Sequence, residues 1–209
     1  TRHSTLFPYT TLFRSEVLLR VSVSDARSVL WWIRLDLRLA DNPALDAART
    51  AARERGGAVV PVFVWAPEEE APWSPGAASR WWLHRSLEGL ARALEGCGSR
   101  LIVRTGPTRA ALEALIAETG ARAVFWNRRY EPALIARDRE IKARLRAAGV
   151  EAQSTNGLLL NEPWQAVDAG GAPFRVFSPF WRRCLALGDP PRPSPAPASL
   201  PAPARWPAS

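Results

Sequence analysis

Between residues 28 and 155 the chain alternates two kinds of hydrophobic pattern. Short, nearly continuous apolar runs occur at Val29–Ile33, Ala58–Trp65, Leu101–Arg104, Ala123–Trp126 and Val150–Ser154. Each reads as a strand buried on both faces. A helix-periodic segment separates each run from the next. Asn42–Arg55 is alanine-rich and ends at Gly56-Gly57; Asp41 or Asn42 can cap it and Pro43 suits its first turn. Ala77–Glu95 carries Leu83, Leu87, Leu90 and Leu94 at helical spacing and stops at Gly96-Cys97-Gly98. A third helix is predicted from a Thr108 cap to Gly120, with Ala111, Leu112, Leu115 and Ile116 on one face, and a fourth over Glu131–Ala148. Pro61 is out of place inside the second strand.

This β-α-β-α-β-α-β-α-β rhythm predicts an α/β fold: a Rossmann-like, doubly wound, five-stranded parallel sheet over residues 28–156. Ligands in such sheets bind beyond the carboxyl ends of the strands. That edge would collect Trp32–Asp41, the segment after Trp65, Gly106-Pro107 and Asn127–Glu131. In the first loop, Arg34, Asp36 and Arg38 alternate with leucines. They read as an ion-pair network tying the loop to later chain or, alternatively, as direct ligand contacts. Residues 157–209 behave differently. Gly157–Cys184 has no clean period but holds Trp164, Phe174, Phe177, Phe180 and Trp181, and so should pack on something. Eight of the nineteen prolines then fall between Pro190 and Pro207, which predicts an extended linker.

Composition narrows the class. The 209 residues are 47% hydrophobic and 23% charged, as in a water-soluble globular protein, and no apolar run approaches the length of a membrane span. The formal net charge is +8 and rests almost wholly on arginine, Lys142 being the single lysine. A basic chain favours polyanionic partners; a solvated arginine-rich surface explains the same charge. Cys97 and Cys184 have no metal-like spacing and point to a reducing, cytoplasmic setting without disulfides. There is no methionine, so the chain is not expected to begin at a natural start. Thr1–Ser15 reads as translated sequencing adapter or a disordered tail, and residues 1–27 are set aside as a leader.

Several chemistries lack their motifs. No Gly-x-Gly-x-x-Gly follows the first strand, and there is no Walker loop, His-Glu-x-x-His or Cys-x-x-Cys. His3 and His84 have no evident partners. No catalytic or metal-binding residue is therefore assigned.

Five segments, in order, resemble those of the DNA photolyase/cryptochrome family. They are Trp32–Leu45 with its Trp-x-Arg-x-Asp-Leu-Arg-x-x-Asp-Asn spelling, Ala78–His84, Trp126–Pro132 followed by Arg137-Asp138, Asn156–Leu160 followed by Glu162-Pro163-Trp164, and Phe174–Trp181. Within that family the chain is most similar to class I-type photolyases. The resemblance implies a two-domain flavoprotein that splits cyclobutane pyrimidine dimers in DNA by light-driven electron transfer from reduced FAD. Residues 28–156 would be its antenna domain. Residues 157–209 would be the connector to an FAD-binding helical domain that lies outside this chain. The chain alone is then expected to be a monomer that neither repairs DNA nor holds FAD. Arg80, Asn127 and Glu131 are the expected polar contacts of an antenna pigment; Arg80 and Glu131 could instead pair with each other. Ala133 and Leu134 replace the Asn-Glu pair of folate-type members, which favours a deazaflavin or flavin. Arg129 stands where deazaflavin-type members carry an acid. Two alternatives remain: a cryptochrome-like photoreceptor, and a stand-alone nucleotide-binding module, for which a Gly-rich phosphate loop is missing.

Overall fold

The computed structural model describes residues 28–209; the leader, residues 1–27, lies outside the described residues. Five parallel strands, β1 (Val29–Ile33), β2 (Val59–Trp65), β3 (Ile102–Thr105), β4 (Ala123–Asn127) and β5 (Glu151–Thr155), form one sheet in the order β3-β2-β1-β4-β5. Their connections are α1 (Pro43–Arg55), α2 (Ala77–Gly96), α3 (Thr108–Thr119) and α4 (Pro132–Ala147), with a short 3-10 turn at Pro67–Glu70.

The sheet is doubly wound because side chains alternate along β1. Val29, Trp31 and Ile33 join a core with Ala44, Leu45 and Ala48 of α1 and Leu90 and Leu94 of α2. Leu30 and Trp32 join the opposite core with Leu112 and Leu115 of α3 and Ile141 and Leu145 of α4. All five residues of β1 are buried, so an apolar run without alternation is what its central position requires.

Local chemistry sets the ends of these elements. Asn42 caps α1 by accepting a hydrogen bond from the Leu45 amide, 3.2 Å, and Gly56 closes it in the left-handed region at φ 60°. Thr108 is not a cap: Pro107 occupies that position, and Thr108 is the first helical residue. Its amide and hydroxyl instead donate to Glu69, at 2.7 and 2.5 Å, pinning the 3-10 turn to α3. Pro61 proves tolerable for a register reason. Backbone groups of odd-numbered β2 residues point away from β1, and β3 pairs only from Val62 onward. The missing N–H of Pro61 therefore faces a stretch with no neighbouring strand.

Two features of residues 157–209 depart from the pattern read in the sequence. Phe177–Ala186 is a helix, α5, where no period was expected. The proline-rich stretch is extended, but it lies along the domain. The Asp41 amide donates to Ser194 O, the Leu200 amide to Cys97 O and the Val59 amide to Pro201 O, all at 2.8–2.9 Å. Leu200 is buried in the first core and Trp206 packs against the second. Among the described residues no helix is long and apolar enough to cross a membrane.

Candidate functional site

The strand order reverses between β1 and β4, and the charged loop after β1 lies beside the exit of β4 at this point. Asn127, the last residue of β4, is 1% exposed. Its Nδ2 donates to Asp36 Oδ2 (2.6 Å) and Asn42 Oδ1 (2.9 Å), and its Oδ1 accepts from Thr155 Oγ1 at 2.7 Å. Asn42 Nδ2 lies 3.2 Å from both Asp36 O and Asp36 Oδ2. Gly157 has to be glycine here, since a Cβ would fall 2.3 Å from Asn127 Cγ. Every polar group in this knot has a partner, as burial demands.

Arg34 extends the knot to α4. Its Nη1 pairs with Asp138 and its Nη2 donates to the Asn127 carbonyl, while the guanidinium sits 4.6 Å from the Trp32 ring centre. Arg137 approaches the same ring at 5.3 Å and also pairs with Asp138. Burial pulls the Arg34 pKa below its ordinary value, with Asp138 as the largest opposing influence. Arg38 is more exposed and ties the loop to the connector, donating to Gly157 O at 2.9 Å. The alternating charges thus divide: Arg34 and Asp36 point inward and Arg38 points outward.

The connector is tied a second time. Arg128 grips Glu162 through two hydrogen bonds, 2.7 and 3.0 Å, and the Tyr130 hydroxyl donates to the same carboxylate at 2.7 Å. The Tyr130 phenol is pushed up to about 12, chiefly by burial and then by Glu162, which accepts only from the neutral form. Burial opposes the charge of Arg128, yet the bonds to Glu162 and Tyr130 outweigh it and its pKa is raised.

Beside this network, at the carboxyl edge, lies a cavity of about 930 Å³. Its walls are mainly apolar: Trp32, Leu35 and Leu37 from the first loop, Phe63 and Trp65 from β2, and Trp81, Trp82 and Leu83 from α2. Arg38, Arg129, Arg137, Glu70 and Ser79 supply polar groups, and the buried Arg34 Nε, at the same wall, has no partner among the described residues. Trp81 and Trp82 are both exposed, 59% and 69%. No cluster of metal-ligating side chains occurs among the described residues.

The residues expected to touch a pigment lie in three different settings. The Asn127 amide is consumed by the knot. Arg80 is exposed on α2 and does not line the cavity. Glu131 does not line it either; it pairs with Arg129 at 2.6 Å instead of Arg80, which holds its carboxyl below the usual range. Arg129 is the group that faces the cavity, and it also reaches Glu70 at 3.7 Å. Trp81, Trp82 and Arg129 were legible as motif residues, but only the fold shows that they share a wall.

A family model described as DNA photolyase matches residues 29–199. The chain belongs to the DNA photolyase family. Among its relatives, a deoxyribodipyrimidine photo-lyase of Agrobacterium fabrum is 44% identical over 181 residues, covering 87% of this chain and 36% of that protein. Cryptochrome-1 of Arabidopsis thaliana is 45% identical over 157 residues, covering 75% of this chain and 22% of that protein. Among solved structures, a bacterial class III photolyase from Agrobacterium tumefaciens superposes with a TM-score of 0.79 at 43% identity, over 87% of this chain and 36% of that one. The chain therefore spans about a third or less of the length of these relatives. The motif blocks noted in the sequence now have a common place, since three of the five meet in the network around Asn127, Asp138 and Glu162.

Proposed function

We propose that this chain is the light-gathering and scaffold portion of a deoxyribodipyrimidine photolyase that repairs pyrimidine dimers in DNA with FAD held outside these residues. The observation that carries the reading is the family match over residues 29–199 together with 44% identity to a named photo-lyase. Within the photolyases we place it beside the class III branch represented by the 43% identical structure; the class I type indicated by the motifs is the neighbouring alternative. A cryptochrome-like photoreceptor is the second reading, favoured by 45% identity to a plant cryptochrome.

The domain division follows the same reading: residues 28–156 as antenna domain and 157–209 as connector to the flavin domain. The exposed aromatics of α5, Phe177 and Trp181, with stacked rings 6.1 Å apart, support it, because a folded partner surface would relieve their exposure. The setting is cytoplasmic and the chain monomeric.

The cavity at the carboxyl edge is the proposed pigment site. Its volume suits a tricyclic ring system, Trp81 and Trp82 offer aromatic faces, and the unpartnered Arg34 Nε and exposed Arg38 offer donors for ring oxygens. These residues fit a flavin or deazaflavin, whose contribution when bound is to absorb light and pass the energy on. In this reading Arg38 and Arg129 supply the polar contacts first expected of Arg80 and Asn127. Mixing the purified chain with FMN, a deazaflavin and a reduced folate, then recording absorption after gel filtration, tests it. Retention of a flavin or deazaflavin that Trp82→Ala abolishes supports the site; retention of none of the three, or of folate alone, refutes it. Light-dependent rescue of repair-deficient, ultraviolet-treated cells by the full-length protein tests the enzymatic reading separately.

A further inference from the structure

Trp32 lines the large cavity. Its neighbour Trp126, with ring centre 5.4 Å away, lines a second cleft of about 240 Å³ between α4 and the connector. Arg128, Tyr130, Arg139, Lys142 and Trp164 complete this cleft's chemistry. Two of its cations have no ion pair among the described residues. Arg139 has no ion pair or side-chain hydrogen bond among the described residues. Lys142 Nζ donates to Ser154 Oγ at 3.0 Å and lies 5.6 Å from the Trp126 ring, with no carboxylate in ion-pair range among the described residues. The nearby acids are already committed: Asp138 to Arg34 and Arg137, and Glu162 to Arg128 and Tyr130. Arg139 and Lys142 are three residues apart on α4, so both reach one side of the helix.

The same cleft has an open aromatic face. Trp164 is 58% exposed, yet it is held in position by Tyr130 (ring centres 6.3 Å apart) and by Arg128, 5.8 Å from its ring. Fixed indole surface beside unpaired cations is the combination that binds a base and its phosphate together.

We propose that this cleft binds a mononucleotide, with its phosphate bridging Arg139 and Lys142 and its base lying against Trp164. The cleft is too small for a dinucleotide, and occupancy does not depend on a pigment in the larger cavity. A phosphate beside Lys142 would also offset the repulsion that Arg146 and Arg128 exert on it. The pKa of Lys142 is already depressed, first by burial and then by Arg146 and Arg128.

Isothermal titration of the 209-residue chain with AMP, adenosine and inorganic phosphate tests this. AMP should bind saturably and at least roughly tenfold tighter than either part alone, about 1.4 kcal/mol by the usual conversion. Arg139→Ala, an exposed change that leaves the fold intact, and Lys142→Ala should each weaken AMP by about tenfold. Trp164→Ala should remove adenosine binding and leave phosphate binding unchanged. Non-saturable AMP binding, phosphate binding as tightly as AMP, or unchanged affinity in Arg139→Ala would each overturn the proposal.

Discussion

Removing Asp138 tests whether the β1 loop is held by charge. Arg34 is 6% exposed and Asp138 12% at the side chain. Opposite charges about 4 Å apart at an effective dielectric of about 20 attract by roughly 4 kcal/mol. Asp138→Leu takes away that attraction and leaves the Arg34 guanidinium buried, with the Asn127 carbonyl as its one remaining acceptor and with Arg137 repelling it. The expected cost is about 3–5 kcal/mol, which lowers the melting temperature of a chain this size by roughly 10 °C. Arg34→Met should cost less, because Asp138 keeps Arg137 at 2.8 Å. The double variant should cost clearly less than the two singles together, with a coupling of about 2 kcal/mol. Urea unfolding of the four proteins, followed by tryptophan fluorescence, measures all three quantities. Additivity, or an Asp138→Leu cost under about 1 kcal/mol, would mean that solvent screens the pair and that packing alone places the loop.

Gly157→Ala drives a methyl into Asn127 and should cost about 1–3 kcal/mol, whereas Gly89→Ala on α2, where nothing lies within 4 Å, should stabilise by a few tenths to about 1 kcal/mol; chemical denaturation of both compares them. Leu200→Ala should cost about 2 kcal/mol or more if the proline-rich stretch is anchored as found, and nothing if it is a free spacer. In a spectrophotometric titration a phenol should ionise late, near 12, and Tyr130→Phe should delete that phase. A phenol raised in the fold stabilises the protein below its ordinary pKa near 10, and this stabilisation is lost as pH climbs from there towards 12. The chain alone, supplied with reduced FAD, should not repair dimers under strong blue light; repair would place the catalytic flavin site within these residues.

What could be read from the sequence follows from range. The strands and α1–α4 are stated by local periodicity, so their order and most of their boundaries were legible. Thr108 misled because a threonine before an apolar face normally caps; only the fold brings Glu69 to its amide. α5 does carry a helical spacing: Phe177, Phe180, Trp181, Cys184 and Leu185 follow the i, i+3, i+4, i+7, i+8 rule. Pro179 masks it, but falls in the first turn, where no intrahelical N–H is needed. The anchoring of the proline-rich stretch was hidden because proline content reports stiffness, not what the segment lies against. The polar knot was least visible, since its partners Asp36 and Asn127 are 91 residues apart.

That knot separates two roles within a single signature. Asp36, Asn42 and Asn127 are bonded to one another, and Asn127 also to Thr155, so every side-chain polar atom among them has a partner; their effect is to fix where the β1 loop lies against β4 and β5. Arg38, Arg129, Trp81 and Trp82 belong to the same or neighbouring motif segments but face the cavity. A change in the first set should therefore act on the loop's position, and on any ligand only through it. A change at Trp81 or Trp82, the exposed members of the second, should alter affinity while the unfolding curve stays in place. Measured together, stability and pigment retention would sort each motif residue into one set or the other. Asn127 is the decisive case: an Asn127→Ala variant that lost pigment without losing stability would put the amide back in the ligand's reach and dissolve the division.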